Sequence, residues 1–177
     1  MKPLHTLIGK TSEWRQPHAF QRHFDLHADG SVAATLHFER AFGSLATGTS
    51  ADGAWTYKRV GFWESAVTVR QSGVDQNLAV FRNRTWTGGG TVTLSDGRTF
   101  QATTNTWQTR LEVATAAAEP LFHLHTSGLV RLGATLEILP AAARVRELPW
   151  LVLLAWYLVV KMHEETGDIV AMTATMG

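Results

Sequence analysis

Cysteine is missing altogether, which excludes disulfides, thiolate catalysis and cysteine-type zinc sites; it fits a reducing compartment, so the chain is read as cytoplasmic. Charge is scarce too. Charged residues make up 18% of the chain and the net charge is +1, far from the concentrated basic face that nucleic-acid binding requires. Nucleic acid is therefore not an expected partner. No basic start leads into an apolar stretch, because Pro3, His5 and Thr6 interrupt Met1 to Lys10, and a secretory signal is not expected. What the chain does have is a 45% hydrophobic share over 177 residues. That is too apolar for a disordered segment and suits one compact domain, expected over 1–177.

One long apolar run stands out, Leu148 to Val160, followed by Lys161, Met162 and His163. Pro149 suits the first turn of a helix, and Glu147 sets negative charge beside its partly positive N-terminus. Lys161 and His163 suit the other end, with Gly167 beyond it. A helix over 148–162 is about 22 Å long at 1.5 Å per residue, whereas crossing a ~30 Å hydrocarbon core takes about 20 apolar residues. No transmembrane span is expected. A helix apolar on every side must then be enclosed by protein. The tail 166–177 reads equally as a last strand or a loose end.

Upstream of residue 140 the pattern is short alternating runs broken by Gly, Asp and Asn, which predicts an all-β region. About ten strands are expected, give or take two: Phe20–His27, Val32–Glu39, Trp55–Gly61, Ala66–Arg70, Leu78–Arg82, Thr91–Leu94, Thr99–Thr103, Trp107–Ala114, Leu121–His125 and Val130–Leu139. Asp29-Gly30, Asp52-Gly53 and Asp96-Gly97 mark hairpins. One residue of slip turns every side chain to the opposite face, so alternation fixes the loop length. A three-residue loop Ser95-Asp96-Gly97 is expected, pairing Val92 with Phe100 and Thr93 with Thr99. A second, Ala28-Asp29-Gly30, pairs Phe24 with Ala34 and Leu26 with Val32; it sets His23 beside Thr35, with His37 diagonal to it.

Strands apolar on one side and a single all-round apolar helix have one economical arrangement, a closed antiparallel β-barrel of about 10–12 strands enclosing the C-terminal helix. A sandwich with the helix outside would leave Trp150, Leu154 and Tyr157, or the opposite face, as a large exposed apolar patch.

Four segments carry a resemblance: Trp55-Thr56-Tyr57-Lys58-Arg59; the run from Gly88 to Arg98; Asn105-Thr106-Trp107; and the run from Glu147 to Leu158. Over residues 50–163 the chain resembles small bacterial members of the tubby C-terminal-like superfamily, a grouping that includes LURP-one-related proteins and phospholipid scramblases. The resemblance implies a twelve-stranded barrel around a hydrophobic C-terminal helix, no shared catalytic residue, and membrane-peripheral lipid binding of the tubby-like kind. No stretch matches, residue by residue, the basic motif with which tubby-like proteins bind phosphoinositides. The extension after Glu165 departs from the family pattern, in which the helix is usually the last element. The shared motifs determine the fold and leave function open.

Several residues invite a chemical role. His123-x-His125 on one strand face could hold a metal with a third ligand, although Phe122 and Leu124 take the inward positions and a solvated outer face accounts for both histidines. His23, Asp25, His27 and His37 form a second polar face that could be pH-sensitive, although a wet sheet face that tolerates any polar residue is the better account of it. Gly88-Gly89-Gly90 opens a strand rather than a helix, so it is a turn and not a phosphate cradle. Asp52 and Asp96 are turn residues. Among tryptophans, Trp150 and Trp156 lie in the enclosed helix, Trp55 and Trp107 belong to fold motifs, and Trp14 and Trp63 are the expected surface anchors.

Arginines are spread along several strands, and guanidinium groups bind phosphate bidentately. Lys58, Arg59, Arg82 and Arg84 are the candidate residues for an anionic ligand, against ordinary surface charge balanced by Glu39, Glu64, Glu112 and Glu137. The expected function is a non-enzymatic binding module that recognises anionic lipid head groups at the periphery of a membrane. A protein–protein scaffold is the alternative, and a metal-dependent enzyme on the His-x-His strand the third reading. No catalytic residue, cofactor or resident metal is expected, and carriage of an apolar ligand in the lumen is disfavoured because the helix fills it.

Overall fold

The computed structural model describes residues 1–18, 21–61, 66–84, 89–128 and 131–175, with side chains as far as Gly167. Among them are twelve strands: β1 (Thr11–Arg15), β2 (His23–Ala28), β3 (Ser31–Phe38), β4 (Ala46–Ser50), β5 (Gly53–Val60), β6 (Ala66–Gln71), β7 (Asn77–Asn83), β8 (Gly90–Leu94), β9 (Thr99–Thr104), β10 (Arg110–Thr115), β11 (Pro120–Ser127) and β12 (Gly133–Ile138). Each pairs antiparallel with its neighbours in sequence. The barrel closes where β1 meets β12, with Thr11 opposite Glu137 and Trp14 opposite Ala134. Closure leaves no sheet edge to aggregate.

Helix α1 (Leu148–Thr175) runs up the lumen. Every residue from Leu148 to Val160 is buried, and each large apolar side chain so enclosed contributes about 1.5–3 kcal/mol relative to exposure. Trp156 stacks on Trp14 and meets Phe24 edge-on, at centroid distances of 5.2 and 5.5 Å. Tyr157 stacks between Phe38 and Tyr57. Both phenols are bonded: the Tyr57 hydroxyl donates to the Trp150 carbonyl at 3.1 Å, and the Tyr157 hydroxyl to the Ser44 carbonyl at 2.6 Å.

The end where α1 begins is sealed. A 3-10 turn, Leu4–Leu7, buries both leucines completely. Asp52 accepts from the Leu4 N–H at 2.9 Å, and His5 Nε2 donates to the Val145 carbonyl at 3.0 Å. Arg98 donates to the Glu147 carboxylate at 2.5 Å, next to the first helical turn. Two of the connections at this end, Asp29-Gly30 and Ser95-Asp96-Gly97, are short and polar.

Patterning anticipated the closed barrel, the enclosed helix and the loop at Asp96-Gly97, where Val92 faces Phe100 and Thr93 faces Thr99. Four expectations need correction. The Asp29-Gly30 hairpin has a two-residue turn, both residues at positive φ; Ala28 pairs with Ser31 and Phe24 with Leu36. A bulge absorbs the mismatch, because Ala33 and Ala34 are both fully buried between the pairs His27–Val32 and Leu26–Ala34. His23 therefore lies opposite His37, not beside Thr35.

The helix does not stop at 162: it continues through Gly167 and the expected tail to Thr175, for 28 residues, about 42 Å at 1.5 Å per residue. Rim ion pairs to Glu164 and Glu165 support it as it leaves the barrel. Trp14 is buried on β1 rather than being a surface anchor, whereas Trp107 is 83% exposed rather than packed. The other expected anchor, Trp63, and the first residue of Gly88-Gly89-Gly90 lie outside the described residues.

Candidate functional site: the mouth of the barrel

The two ends of the barrel differ in chemistry. At the end where α1 emerges, the fully described connections are 39–45 and 105–109, longer than 29–30, 51–52 and 95–98 at the sealed end. Two described aromatics stand in them: Phe42, 95% exposed, between β3 and β4, and Trp107 between β9 and β10. Six strands separate these connections in either direction around the barrel. With strands about 4.8 Å apart and tilted near 40°, the barrel is roughly 24 Å across, so the two aromatics sit on opposite sides of the mouth.

Phe42 is set among cations. It lines a recess of about 290 Å³ with Arg40, Lys58 and Glu39, floored by Gly43, Ser44 and Leu45. Neither Arg40 nor Lys58 has a carboxylate partner among the described residues. The connection that carries Phe42 is held by Arg22. Its guanidinium donates to the carbonyls of Arg40 and Gly43, both at 2.9 Å, and grips Glu164 of α1 bidentately at 2.7 and 3.0 Å. It also lies 4.0 Å from the centre of the Phe38 ring. Lys161 adds a bond to Glu164 at 2.8 Å, and Arg59 pairs with Glu165. One arginine thus joins the helix exit to the loop bearing the exposed phenylalanine.

All four sequence-derived candidates sit at this mouth, in different settings. Lys58 points outward beside Phe42. Arg59, next in sequence, points into the mouth toward Glu165, as strand alternation requires. Arg82 projects from the outer face of β7 without an acidic partner among the described residues. Arg84 donates to Thr91 Oγ1 at 3.0 Å. The structure groups Lys58 with Arg40 rather than with Arg82 and Arg84. Arg40 and Phe42 escaped sequence reasoning because β4 was not recognised, so the segment from Arg40 to Leu45 had no assigned place as a connection.

The histidines are accounted for by neighbours. His123 Nε2 is 2.9 Å from the Glu137 carboxylate, directly opposite on β12, and its ring meets His125 edge-on at 5.3 Å. His23 is bonded to Asp25 at 2.9 Å and faces His37, with 5.6 Å between ring centres. Among the described residues no group of three or more His, Asp or Glu is placed to hold a metal ion. Gly90 opens β8 as expected, and a Cβ there would strike the Arg82 carbonyl and the Phe81 ring at 2.4 Å, so close strand approach accounts for the glycine. The Asp96 carboxyl is held below the usual range, first by the Arg98 backbone N–H and then by the Arg98 guanidinium, as befits a turn residue.

Fold and mouth define a closed twelve-stranded antiparallel β-barrel with a helix in its lumen. The chain matches no known protein family, and no curated protein matches it in sequence. In structure it is similar to a protein from Arabidopsis thaliana solved by X-ray crystallography, at 12% identity and a TM-score of 0.51, over 85% of this chain and 88% of that one. A likeness at that identity is one of fold. No helix of the described residues is long and apolar enough to cross a membrane.

Proposed function

We propose that this chain is a tubby-like, non-enzymatic binding module that docks the mouth of its barrel on an anionic membrane surface from the cytoplasmic side. The observation that carries the reading is Phe42, almost fully exposed in a recess shared with Glu39 and with Arg40 and Lys58, two cations without a carboxylate partner among the described residues. An aromatic side chain suits the interfacial layer of a bilayer, and a basic residue close to an anionic surface adds about 1 kcal/mol of attraction. Trp107, across the mouth, supplies a second anchor, so both contacts come from one end of the barrel. Lys58, Arg82 and Arg84 are then head-group residues at the mouth.

Co-sedimentation with vesicles tests the reading. The chain is expected to pellet with anionic vesicles and not with neutral ones, and less as salt is raised, because the surface potential is screened. The double variant Phe42→Ala/Trp107→Ala should lose pelleting while keeping its melting temperature. Equal, negligible pelleting with both vesicle types removes the lipid reading and leaves a protein partner, for which exposed Trp107 is the natural anchor.

A further inference from the structure

Where α1 leaves the lumen, the seam between the helix and strands β5 to β7 stays open. A cleft of about 60 Å³ lies there. Its floor is apolar, made by Val67, Phe81, Leu158 and Met162, and the cations Arg59 and Lys161 stand at its rim. The lumen below is filled by α1, so the cleft is a shallow annex of the mouth and not a carrier cavity.

An apolar floor under a cationic rim complements an anion attached to an alkyl chain. Glu165, which also lines the cleft, is the competing anion, and the arrangement lets it yield. The Glu165 side chain is 51% exposed and its pair with Arg59 is solvated, so the pair is weak and exchanges readily. Lys161 is the second cation on Glu164, which keeps the bidentate grip of Arg22 when Lys161 turns away. Both rim cations can therefore accept a new anion without stranding a buried charge.

We propose that this cleft binds the head and first carbons of a single-chain anionic amphiphile, such as a fatty acid or an alkyl phosphate. The inference rests on the mouth being the membrane-facing end, and it is tested without a membrane. The full chain is titrated calorimetrically with dodecanoate, dodecyl phosphate, dodecyltrimethylammonium and inorganic phosphate, each below micelle-forming concentration. The two anionic chains should bind saturably at one per protein, and the cationic chain and inorganic phosphate at least about tenfold more weakly, the loss expected when a charge-assisted bond or the apolar contact is missing. The double variant Arg59→Gln/Lys161→Gln should weaken the anionic chains about tenfold or more. Val67→Phe, which fills the floor, should do the same.

Equal binding of anionic and cationic chains, or unchanged binding in Arg59→Gln/Lys161→Gln, overturns the proposal. So does binding of inorganic phosphate as tight as that of dodecyl phosphate, which would mark a plain anion site. Failure here is separable from failure of mouth docking. Vesicle pelleting without amphiphile binding sinks the cleft alone. Amphiphile binding by a parent chain that pellets with neither vesicle type sinks the docking alone.

Discussion

Trp14 lies flat against Trp156, with ring centres 5.2 Å apart and planes within 4° of parallel. One ring belongs to the second strand position that faces inward on β1 and the other to the enclosed part of α1, so this contact fastens the barrel's closing seam to its filling. Among the described residues neither indole N–H has a partner, and the pair is held by stacking and burial. Trp14→Ala should lower unfolding free energy by about 3–5 kcal/mol, the usual cost of removing a buried tryptophan. A denaturation midpoint unchanged from the parent would show that the seam is fastened elsewhere.

The chain has two tyrosines, Tyr57 and Tyr157, both in the packed interior. Burial pushes Tyr157 up to about 12, and raises Tyr57 well above the ordinary value of 10. The fold holds the neutral phenols, so the unfolded chain gives up their protons first. Stability should be intact below pH 10 and fall as pH rises from 10 through about 12. Phenolate absorbance should stay flat past pH 10 and then rise together with the loss of circular dichroism. A phenolate signal that develops near pH 10 while the protein remains folded would contradict this account.

Arg22 bonds the helix exit and the Phe42 connection at once. Arg22→Ala should cost about 1.5–3 kcal/mol, the range for hydrogen bonds to charged groups. More tellingly, hydrogen exchange should accelerate at 39–45 and 161–165 together, and stay slow in β9 to β12. Arg22→Lys keeps the charge but not the fork, and should recover only part of the protection. Acceleration confined to one of the two segments would show that they are not joined through this residue.

The barrel could be read from the sequence because most strands alternate large apolar residues with polar ones, as Val67 and Val69 do with Thr68 and Arg70. The two strands that escaped do not. β4 turns Ala46, Gly48 and Ser50 inward, and β1 turns Ser12 inward beside Trp14. The reason at β4 is space: a Cβ on Gly48 would come within 2.9 Å of the Tyr57 ring and 3.1 Å of Leu153, so only a small residue fits where the wall meets the helix. Alternation was silent where packing was tightest. It also misplaced Trp14 and Trp107, since a tryptophan looks the same in sequence whether it closes a seam or tips a loop. The mouth was half legible: Lys58, Arg59, Arg82 and Arg84 were named by residue type, but the grouping of Lys58 with Arg40 and Phe42 needs the strand ends that β4 supplies.

A helix that forms the centre of the core, yet follows all twelve strands in the chain, fixes an order of events during synthesis. The strands leave the ribosome before the residues that fill their lumen, and β1 waits for β12 before its outer edge is paired. Until the segment from Leu148 to Val160 is released, the inward faces have nothing to close upon, and a curved, unfinished sheet stands open to association. The filling of the lumen is therefore the last step in building this domain, and the nascent sheet is the state that a chaperone would have to hold.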